Sequence, residues 1–257
     1  MLNWNQIDLS FKGFHGLEPF NYCIVDNFFE TEIAVKLSNE FLNFNNKAWH
    51  TYNNGLECKK SCNDWNQFPE LTYSVFHLIN SKKFVDYLKD KAQINKLYSD
   101  AGLHGGGWHI CSNAGKLNPH LDYSTHPKLK LARKLNLIIY LEREWEESWG
   151  GHFGLYKETV KNKSKILCQE IAPTFNRAII FDSSQNSWHG ISREVKAPEG
   201  FYRKSIATYY LTDLNKSHNP RKRALFAPTK QQENNKKIIE AIENRVNDQT
   251  YKDSYIT

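Results

Sequence analysis

The sequence lacks long apolar segments. Its longest uninterrupted apolar run, Leu137-Ile138-Ile139-Tyr140-Leu141, is far shorter than the roughly 20 residues that a membrane-spanning helix needs. The first six residues, Met1-Leu2-Asn3-Trp4-Asn5-Gln6, contain no apolar stretch of the kind that a secretory signal peptide carries. We therefore expect neither a membrane partner nor export.

Cysteine is also scarce. The chain has 5 cysteines, an odd number, scattered as Cys23, Cys58, Cys62, Cys111 and Cys168. Small secreted domains stapled by disulfides carry even, closely spaced sets, so this pattern predicts reduced thiols and a cytoplasmic location. Cys58 and Cys62 lie four residues apart, but no second Cys/His pair at finger spacing follows, which disfavours a zinc site.

The composition is that of a globular protein. Of the 257 residues, 40% are hydrophobic, 14% aromatic and 24% charged, which excludes a disordered chain, a collagen-like chain and a coiled coil. There is no internal repeat and no low-complexity linker, so we predict a single catalytic domain over residues 1–257. The 34 basic and 28 acidic residues give a net charge of +6. This mild excess suits an anionic ligand, and nucleic acid is disfavoured as a partner.

The N-terminal part, residues 1–103, reads as an α/β support. Apolar residues at helical spacing follow Thr31, which we predict as the N-cap of a helix. A second helical pattern runs from about Pro69 to Leu88, with a break near Ser81. These helices are expected to pack on one face of a sheet.

From His104 the pattern changes to short strands separated by turns, which indicates an all-β sandwich or jelly roll over residues 104–213. The strand over 135–141 is the clearest of them. Residues 214–257 form a C-terminal segment with a basic cluster, Arg221-Lys222-Arg223, and a polar helix from about Gln231 to Val246. We interpret both features as solvated faces.

His120-Leu121-Asp122 is the strongest local signal for chemistry. In a strand, residues i and i+2 point to the same face, so this imidazole and carboxylate can hold one metal ion from one side. His189 comes 67 residues later, after the strand over 178–181. Two histidines and one carboxylate make a facial triad, which leaves three coordination positions open and is typical of non-haem Fe(II) oxygenases.

Arg203, Ser205 and Tyr140 are the candidate residues for a co-substrate. A bidentate 2-oxo acid and O₂ would occupy the open metal positions, and a 2-oxo dicarboxylate needs its far carboxylate anchored. The guanidinium of Arg203 has the fork geometry for that role. Ser205 shares the strand face of Arg203, and Tyr140 points inward if the leucines and isoleucines of its strand pack outward.

The order of these motifs resembles that of the 2-oxoglutarate/Fe(II)-dependent oxygenases, and within them the prolyl 4-hydroxylase-like branch. The stretches that carry the resemblance are Leu135 to Leu141, Trp149-Gly150-Gly151-His152, Ile171-Ala172-Pro173, Ser187-Trp188-His189-Gly190 and Arg203-Lys204-Ser205-Ile206-Ala207. It covers roughly residues 104–213 and, loosely, 19–44. It implies a mainly β fold with an α layer, in which N-terminal helices pack on a double-stranded β-helix (jelly roll).

The resemblance also implies ligands and roles. Iron would be held by His120, Asp122 and His189, and the distal carboxylate of 2-oxoglutarate by Arg203 with help from Tyr140. Fe(II), 2-oxoglutarate and O₂ are the expected cofactors, with ascorbate as an optional reductant. The reaction would hydroxylate an aliphatic C–H and release succinate and CO₂.

One departure from the branch concerns the strand before His120. Members of the branch often carry an aromatic hydroxyl there, near the metal-bound end of the co-substrate, whereas this sequence has Trp108-His109-Ile110-Cys111. His109 is therefore the candidate at that end.

The substrate is left open at this point. A prolyl residue in a peptide or free proline follows from the resemblance, and Tyr123, His126 and Trp188 are candidate contacts for a peptide or small-molecule substrate. Two other functions stay open, a non-enzymatic cupin-like binding module and an oxidative demethylase of nucleic acid, for which the basic cluster is the main support. The oligomeric state is open as well.

Overall fold

The computed structural model describes residues 1–159, 163–184, 186–216 and 218–247. The last ten residues of the predicted C-terminal segment lie outside this part of the chain. Its α-helices are α1 (Trp4–Phe11), α2 (Thr31–Asn39), α3 (Glu70–Ile79), α4 (Lys82–Lys91) and α5 (Lys236–Val246). Its strands are β1 (Tyr22–Val25), β2 (His50–Asn53), β3 (Glu57–Cys62), β4 (Tyr98–Ser99), β5 (Gly107–Cys111), β6 (Lys116–Leu117), β7 (His120–Leu121), β8 (Ala132–Tyr140), β9 (Phe153–Lys157), β10 (Ile166–Ile171), β11 (Ala178–Asp182), β12 (Trp188–Ile191), β13 (Arg203–Thr212) and β14 (Leu225–Phe226).

Two antiparallel sheets form the centre of the fold. The larger has the order β1-β11-β8-β13-β5-β3-β2, with β4 paired to β13 and β6 to β3, and the smaller has the order β10-β9-β12-β7-β14. An apolar cluster that includes Tyr140, Phe153 and Phe181 joins the two. The predicted jelly roll is confirmed.

Strand β8 shows how the sheet separates the core from the site. Leu135, Leu137 and Ile139 are fully buried in the cluster that contains the residues of α3 and α4, as the period of two predicts. Asn136 and Ile138, on the other face, line a cavity between the sheets. Helices α1 to α4 therefore cover one face of the larger sheet, as expected, and leave the other face for the site.

The starts of two helices differ from prediction. Helix α5 begins at Lys236 and not near Gln231, where a separate short 3₁₀ helix lies. Helix α2 begins at Thr31, but its N-cap is Glu30, whose side chain makes no capping hydrogen bond. The predicted break near Ser81 is present, because the Ser81 side chain accepts a hydrogen bond from the backbone N–H of Phe84 and starts α4 as a separate helix.

The C-terminal segment is only in part the solvated face that we expected, because Lys222 and the lysines and glutamates of α5 are exposed while other residues face inward. Lys222 and Arg223 line the cavity, and Arg245 of α5 is buried and bonded to Glu57 at 3.1 Å. The amphipathic pattern of α5 did not reveal this, because the partner of Arg245 lies 188 residues away in the chain. Across the described residues, no helix has the length and apolar character to span a membrane.

Candidate functional site

A cavity of about 300 Å³ lies between the two sheets. The larger sheet contributes His109, Asn136, Arg203 and Ser205 to its wall, among others, and the smaller contributes His120 and His189. Each of these side chains occupies an alternate position of its strand, so the pleat of the sheets aims them at one space.

His120, Asp122 and His189 meet at one side of this cavity. His120 on β7 lies directly opposite His189 on β12 in the antiparallel ladder, and Asp122 follows β7. One ligand atom from each residue lies within 4.8 Å of the other two, and all three residues are buried. The Nε2 atoms of His120 and His189 lie 3.7 and 3.8 Å from the two carboxylate oxygens of Asp122. The structure thus brings together the three residues that the sequence indicated.

Backbone carbonyls set the orientation of both imidazoles. Nδ1 of His120 lies 3.0 Å from the carbonyl oxygen of Asn118, and Nδ1 of His189 lies 2.8 Å from that of Ser187. With the proton on Nδ1, each ring donates to the backbone and turns the lone pair of Nε2 toward the other two residues. This is the second contact that metal-bound histidines ordinarily make.

The electrostatics keep Asp122 ionised and His189 neutral. Burial raises the pKa of Asp122, but the adjacent His120, His189 and Arg133 outweigh burial and hold this pKa well below its usual range. Burial, together with the nearby His120, lowers the pKa of His189 to about 4. A carboxylate and a neutral imidazole are the protonation states that bind metals.

Arg133 is a site residue that sequence reasoning missed. Its guanidinium carbon lies 3.5 Å from the ring centre of Tyr123 and 3.4 Å from that of Tyr209, and Nη1 is 3.8 Å from Oδ1 of Asp122. It is thus a buried cation held between two aromatic faces beside the carboxylate. The available signal was a basic residue, Arg133, near the start of a strand that is mostly apolar.

Arg203 and Tyr140 form a second polar group in the cavity region. Nε of Arg203 donates to the carbonyl of Gly151 at 2.6 Å, and Nη2 donates to the Tyr140 hydroxyl at 3.0 Å. Ser205 is buried and lies opposite Tyr140 in the ladder between β13 and β8. These bonds fix the plane of the guanidinium, and Arg203 lines the cavity.

His109 lies across the sheet from Ser205, on the neighbouring strand β5, and lines the cavity. Its Nε2 is buried and has no hydrogen-bond partner among the described residues. Burial, with the charges of Lys59 and Arg203, lowers its pKa to about 3. The imidazole is therefore neutral and can accept or donate one hydrogen bond to a ligand.

The three candidate substrate contacts lie in different places. Tyr123 lines the cavity, stacks on Arg133 and donates its hydroxyl proton to the carbonyl of His104. His126 lies outside the lining, with Nε2 3.4 Å from Asp100, and Trp188 packs outside it against Leu121 and Tyr156. The structure brings Tyr123 alone of the three to the cavity.

The donor set fits a divalent metal ion of the non-haem iron type. Two imidazoles and one carboxylate converge, and Oδ2 of Asp122 is buried without a hydrogen-bond partner among the described residues. A buried carboxylate oxygen left in that state carries a large cost unless a cation meets it. Three residues on one side leave the other coordination positions open toward the cavity.

Residues 107–211 match the family model described as the 2OG-Fe(II) oxygenase superfamily. This range contains the three residues of the triad, His120, Asp122 and His189. It also contains Tyr140, Arg203 and Ser205. Over this range the match agrees with the family and the enzyme class that the motifs indicated. Fe(II), 2-oxoglutarate and O₂ are the reactants that this family uses. The match also favours an enzyme over a cupin-like binding module.

The fold is similar to those of solved prolyl hydroxylases. A prolyl hydroxylase from Trichoplax adhaerens, in complex with a peptide fragment of hypoxia inducible factor, gives a TM-score of 0.55 at 17% identity, over 82% of this chain and 94% of the other. A Pseudomonas putida prolyl-4-hydroxylase gives 0.56 at 11% identity, over 80% and 100%. HygX from Streptomyces hygroscopicus, with nickel and 2-oxoglutarate bound, gives 0.51 at 12% identity, over 82% and 88%.

Proposed function

We propose that this chain, whose residues 107–211 match the model of the 2OG-Fe(II) oxygenase superfamily, hydroxylates an aliphatic C–H of its substrate and converts 2-oxoglutarate to succinate and CO₂. The observation that carries the proposal is the convergence of His120, Asp122 and His189 in a cavity that also presents Arg203. A metal triad alone would serve several reactions, and the nearby arginine is what a dicarboxylate co-substrate requires.

In this proposal His120, Asp122 and His189 hold the iron. Their orientation is set before the metal arrives, because the two Nδ1–H groups are bonded to the carbonyls of Asn118 and Ser187. His120, His189 and Arg133 together hold the pKa of Asp122 low, so that a metal ion does not have to displace a proton from this carboxylate. Fe(II) and 2-oxoglutarate together supply the activation of O₂ and the oxidising power for the C–H bond.

Arg203 anchors the far carboxylate of 2-oxoglutarate. The two described hydrogen bonds of its guanidinium, to Gly151 and Tyr140, hold the fork in one plane. The Tyr140 hydroxyl, which accepts a bond from Arg203, has its own proton to donate to the same carboxylate, and Ser205 adds a further hydroxyl. His109 is the candidate at the metal-bound end of the co-substrate, since its ring is neutral and lies beside Ser205.

A prolyl residue in a peptide, or free proline, is the substrate that the fold suggests, because one similar structure holds a peptide and is a prolyl hydroxylase. Tyr123 is the candidate contact that faces the cavity. One catalytic domain over residues 1–257, a cytoplasmic location and a stimulating role for ascorbate complete the proposal. The five cysteines, all free, agree with reducing surroundings.

Succinate formation from 2-oxoglutarate tests the proposal directly. The full chain is incubated with Fe(II), ascorbate and a panel of amino acids and peptides, and succinate and the product mass are measured. His120→Ala and Asp122→Ala should abolish both turnover and the binding of Ni(II) measured by calorimetry. His77→Ala, at an exposed position of α3, is the matched control and should behave as the wild type. Wild-type turnover in either triad variant would refute the metal assignment.

Nucleic acid as the substrate is tested separately. An oxidative demethylase would bind an oligonucleotide with an affinity that falls steeply as salt rises, because binding releases counterions from the phosphates. The basic cluster that suggested this function lies partly in the cavity wall, where Arg223 is half-buried. We therefore expect no salt-dependent oligonucleotide binding.

A further inference from the structure

The C-terminal segment packs on the strand that carries the first metal-binding histidine. Phe226 on β14 lies opposite His120 on β7, and its ring stacks on the imidazole with the ring centres 5.3 Å apart. The backbone N–H of Ala227 donates to the carbonyl of Pro119 at 2.8 Å. Residues that follow the last long strand of the fold therefore contribute directly to the surroundings of His120.

Asn118, two residues before His120, is the point at which this segment is attached. Its side chain is buried, and Nδ2 donates to the carbonyl of Ala227 at 3.1 Å and to Oε1 of Gln232 at 2.6 Å. Its backbone N–H donates to the carbonyl of Leu56 at 2.8 Å. Both hydrogens of the side-chain amide are thus used, which fixes its orientation.

The carbonyl of Asn118 is also the group that orients His120. It lies 3.0 Å from Nδ1 of this imidazole, and the opposite nitrogen, Nε2, lies 3.7 Å from Oδ1 of Asp122. A shift of Asn118 would therefore turn the ring and move Nε2 away from the place where the ligand atoms converge.

His189 has a different kind of support. Its Nδ1 lies 2.8 Å from the carbonyl of Ser187, and Oγ of Ser187 donates to the carbonyl of Ser184 at 2.7 Å. These contacts lie within a few residues of one another in the chain, whereas Asn118 is held by the carbonyl of Leu56 and by the C-terminal segment. The orientation of His120 thus depends on segments that are far apart in the sequence.

Gln232 connects Asn118 to the β2–β3 hairpin. Its Oε1 accepts the hydrogen bond from Asn118, and its Nε2 donates to the carbonyl of Gly55 at 3.1 Å. Gly55 lies in the turn between β2 and β3, and this hairpin contributes Tyr52 and Lys59 to the cavity wall. One side-chain amide thus joins the metal-binding strand to a hairpin that lines the cavity.

We propose that Asn118 is a positioning residue for the metal ligand His120, and that Gln232 fixes Asn118 and joins it to the β2–β3 hairpin. The role rests on the proposed function, because it requires His120 to bind the metal. Outer-shell groups that hold a metal-bound histidine typically contribute about 10- to 100-fold to metal affinity. Here the group that contacts His120 is a backbone carbonyl, so the side chain that holds this carbonyl in place decides its position.

The Nδ1–H protons of the two histidines report this role without any turnover. The full chain, labelled with ¹⁵N-histidine, is loaded with Zn(II), a diamagnetic ion that takes histidine and carboxylate ligands. The exchange of each Nδ1–H with water and the dissociation constant of Zn(II) are then measured. In Asn118→Ala we expect faster exchange at His120, unchanged exchange at His189, and a Zn(II) dissociation constant about tenfold higher.

Gln232→Leu tests the link to the C-terminal segment. It removes the acceptor for Asn118 and the donor to Gly55 but leaves the second bond of Asn118, to Ala227, in place. We expect the same change at His120 to a smaller extent, with the Zn(II) dissociation constant raised about threefold. Since Gln232 is half-buried, this variant keeps the test valid if Asn118→Ala does not fold.

Asn176→Ala is the matched control. Asn176 is also a buried asparagine with two side-chain hydrogen bonds, to the backbone N–H and carbonyl of Phe29, at 3.0 and 2.8 Å. The substitution should lower the free energy of unfolding, measured by denaturant titration, and leave the Zn(II) affinity and both Nδ1–H protons unchanged. A merely structural role of Asn118 would make the two asparagine variants alike in metal binding.

Three results would overturn the inference. The first is wild-type Zn(II) affinity and wild-type exchange at His120 in both Asn118→Ala and Gln232→Leu. The second is an equal effect on His120 and His189, which would indicate general loosening of the site, and the third is an equal loss of Zn(II) affinity in Asn176→Ala. Failure of the wild-type chain to bind Zn(II) is a different result, because it refutes the metal site of the proposed function.

Discussion

The guanidinium of Arg133 lies 3.8 Å from the carboxylate of Asp122, and both side chains are buried. The cation is enclosed by Tyr123 and Tyr209, so it is shielded from water on both faces. A carboxylate that awaits a metal ion is thus already charge-compensated in the folded chain. This ion pair therefore contributes both to the stability of the fold and to keeping Asp122 ionised for metal binding.

Loss of Arg133 should therefore destabilise the protein. Arg133→Met removes one partner of a buried pair, and we expect the free energy of unfolding to fall by about 3 to 5 kcal/mol. Denaturant titration of the metal-free chain measures it. Lys134→Met, which breaks the more exposed pair with Asp182, is the neighbouring control and should cost about 1 kcal/mol or less. Equal losses in the two variants would contradict the role of Arg133.

Substitutions of Arg203 and Tyr140 should weaken 2-oxoglutarate binding to different extents. Arg203→Gln removes the charge that anchors the carboxylate, and we expect the dissociation constant to rise at least about 100-fold, since a charged hydrogen bond contributes about 1.5 to 3 kcal/mol and the ion pair adds to it. Tyr140→Phe removes one hydroxyl and should raise it about tenfold. Calorimetry with Ni(II)-loaded protein measures both constants.

The affinity for Ni(II) shows whether Arg203→Gln and Tyr140→Phe weaken 2-oxoglutarate binding specifically or disrupt the fold of the site. Neither substitution touches the triad, so the Ni(II) dissociation constant should remain within about twofold of the wild type. Arg193→Gln, at a half-exposed arginine paired with Glu170, is the control for loss of a positive charge. A parallel loss of metal and 2-oxoglutarate binding in Arg203→Gln would count against an anchoring role.

Substitution of Gly151 should also weaken 2-oxoglutarate binding, because this residue supports Arg203. Its φ is +70°, and a Cβ there would lie 2.8 Å from Cδ of Arg203, while its carbonyl accepts the bond from Nε. Gly151→Ala should weaken 2-oxoglutarate binding about tenfold or more, because the guanidinium must move. Gly200→Ala is the matched control, since Gly200 also has a positive φ of +90° but no heavy atom within 4 Å. It should lose stability only, by about 1 kcal/mol.

The metal-free protein should lose stability as the pH falls from about 6.5 to 4. Burial lowers the folded-state pKa of His189 to about 4 and that of His109 to about 3, below the ordinary 6.5. In this window the unfolded chain takes up protons that the folded chain does not, so the free energy of unfolding falls with decreasing pH. Each histidine contributes a slope of up to about 1.4 kcal/mol per pH unit.

Denaturant unfolding at several pH values between 7 and 4.5 checks this slope. His109→Gln removes one of the two histidines with the largest shifts and should flatten the dependence by up to the contribution of one histidine. His77→Gln, at an exposed position of α3, is the control. The same slope in His109→Gln as in the wild type would show that His109 is protonated in the folded state.

Local patterns in the sequence predicted the elements whose signals are themselves local. The strand β8 was visible because apolar residues alternate along it, and the convergence of His120 and Asp122 followed from the same period of two. His189 and Arg203 were found through residue type and chain order. Their burial and mutual distances agree with the predicted site, and the match over residues 107–211 supports the same family.

The tertiary structure alone decided which distant segments complete the cavity. Strands β2 and β3 extend the larger sheet and bring Lys59 to the wall, and the segment 221–226 pairs with the triad strand. Neither pairing has a local signature, because cross-strand register depends on the partner and not on the pattern of one segment. For the same reason Lys222 and Arg223, from a basic cluster that reads as solvated in sequence, line a cavity in the fold. The sequence by itself determined which residue types can bind the metal and which face of each strand they lie on. Long-range strand pairing determined which charged residues surround those metal-binding residues.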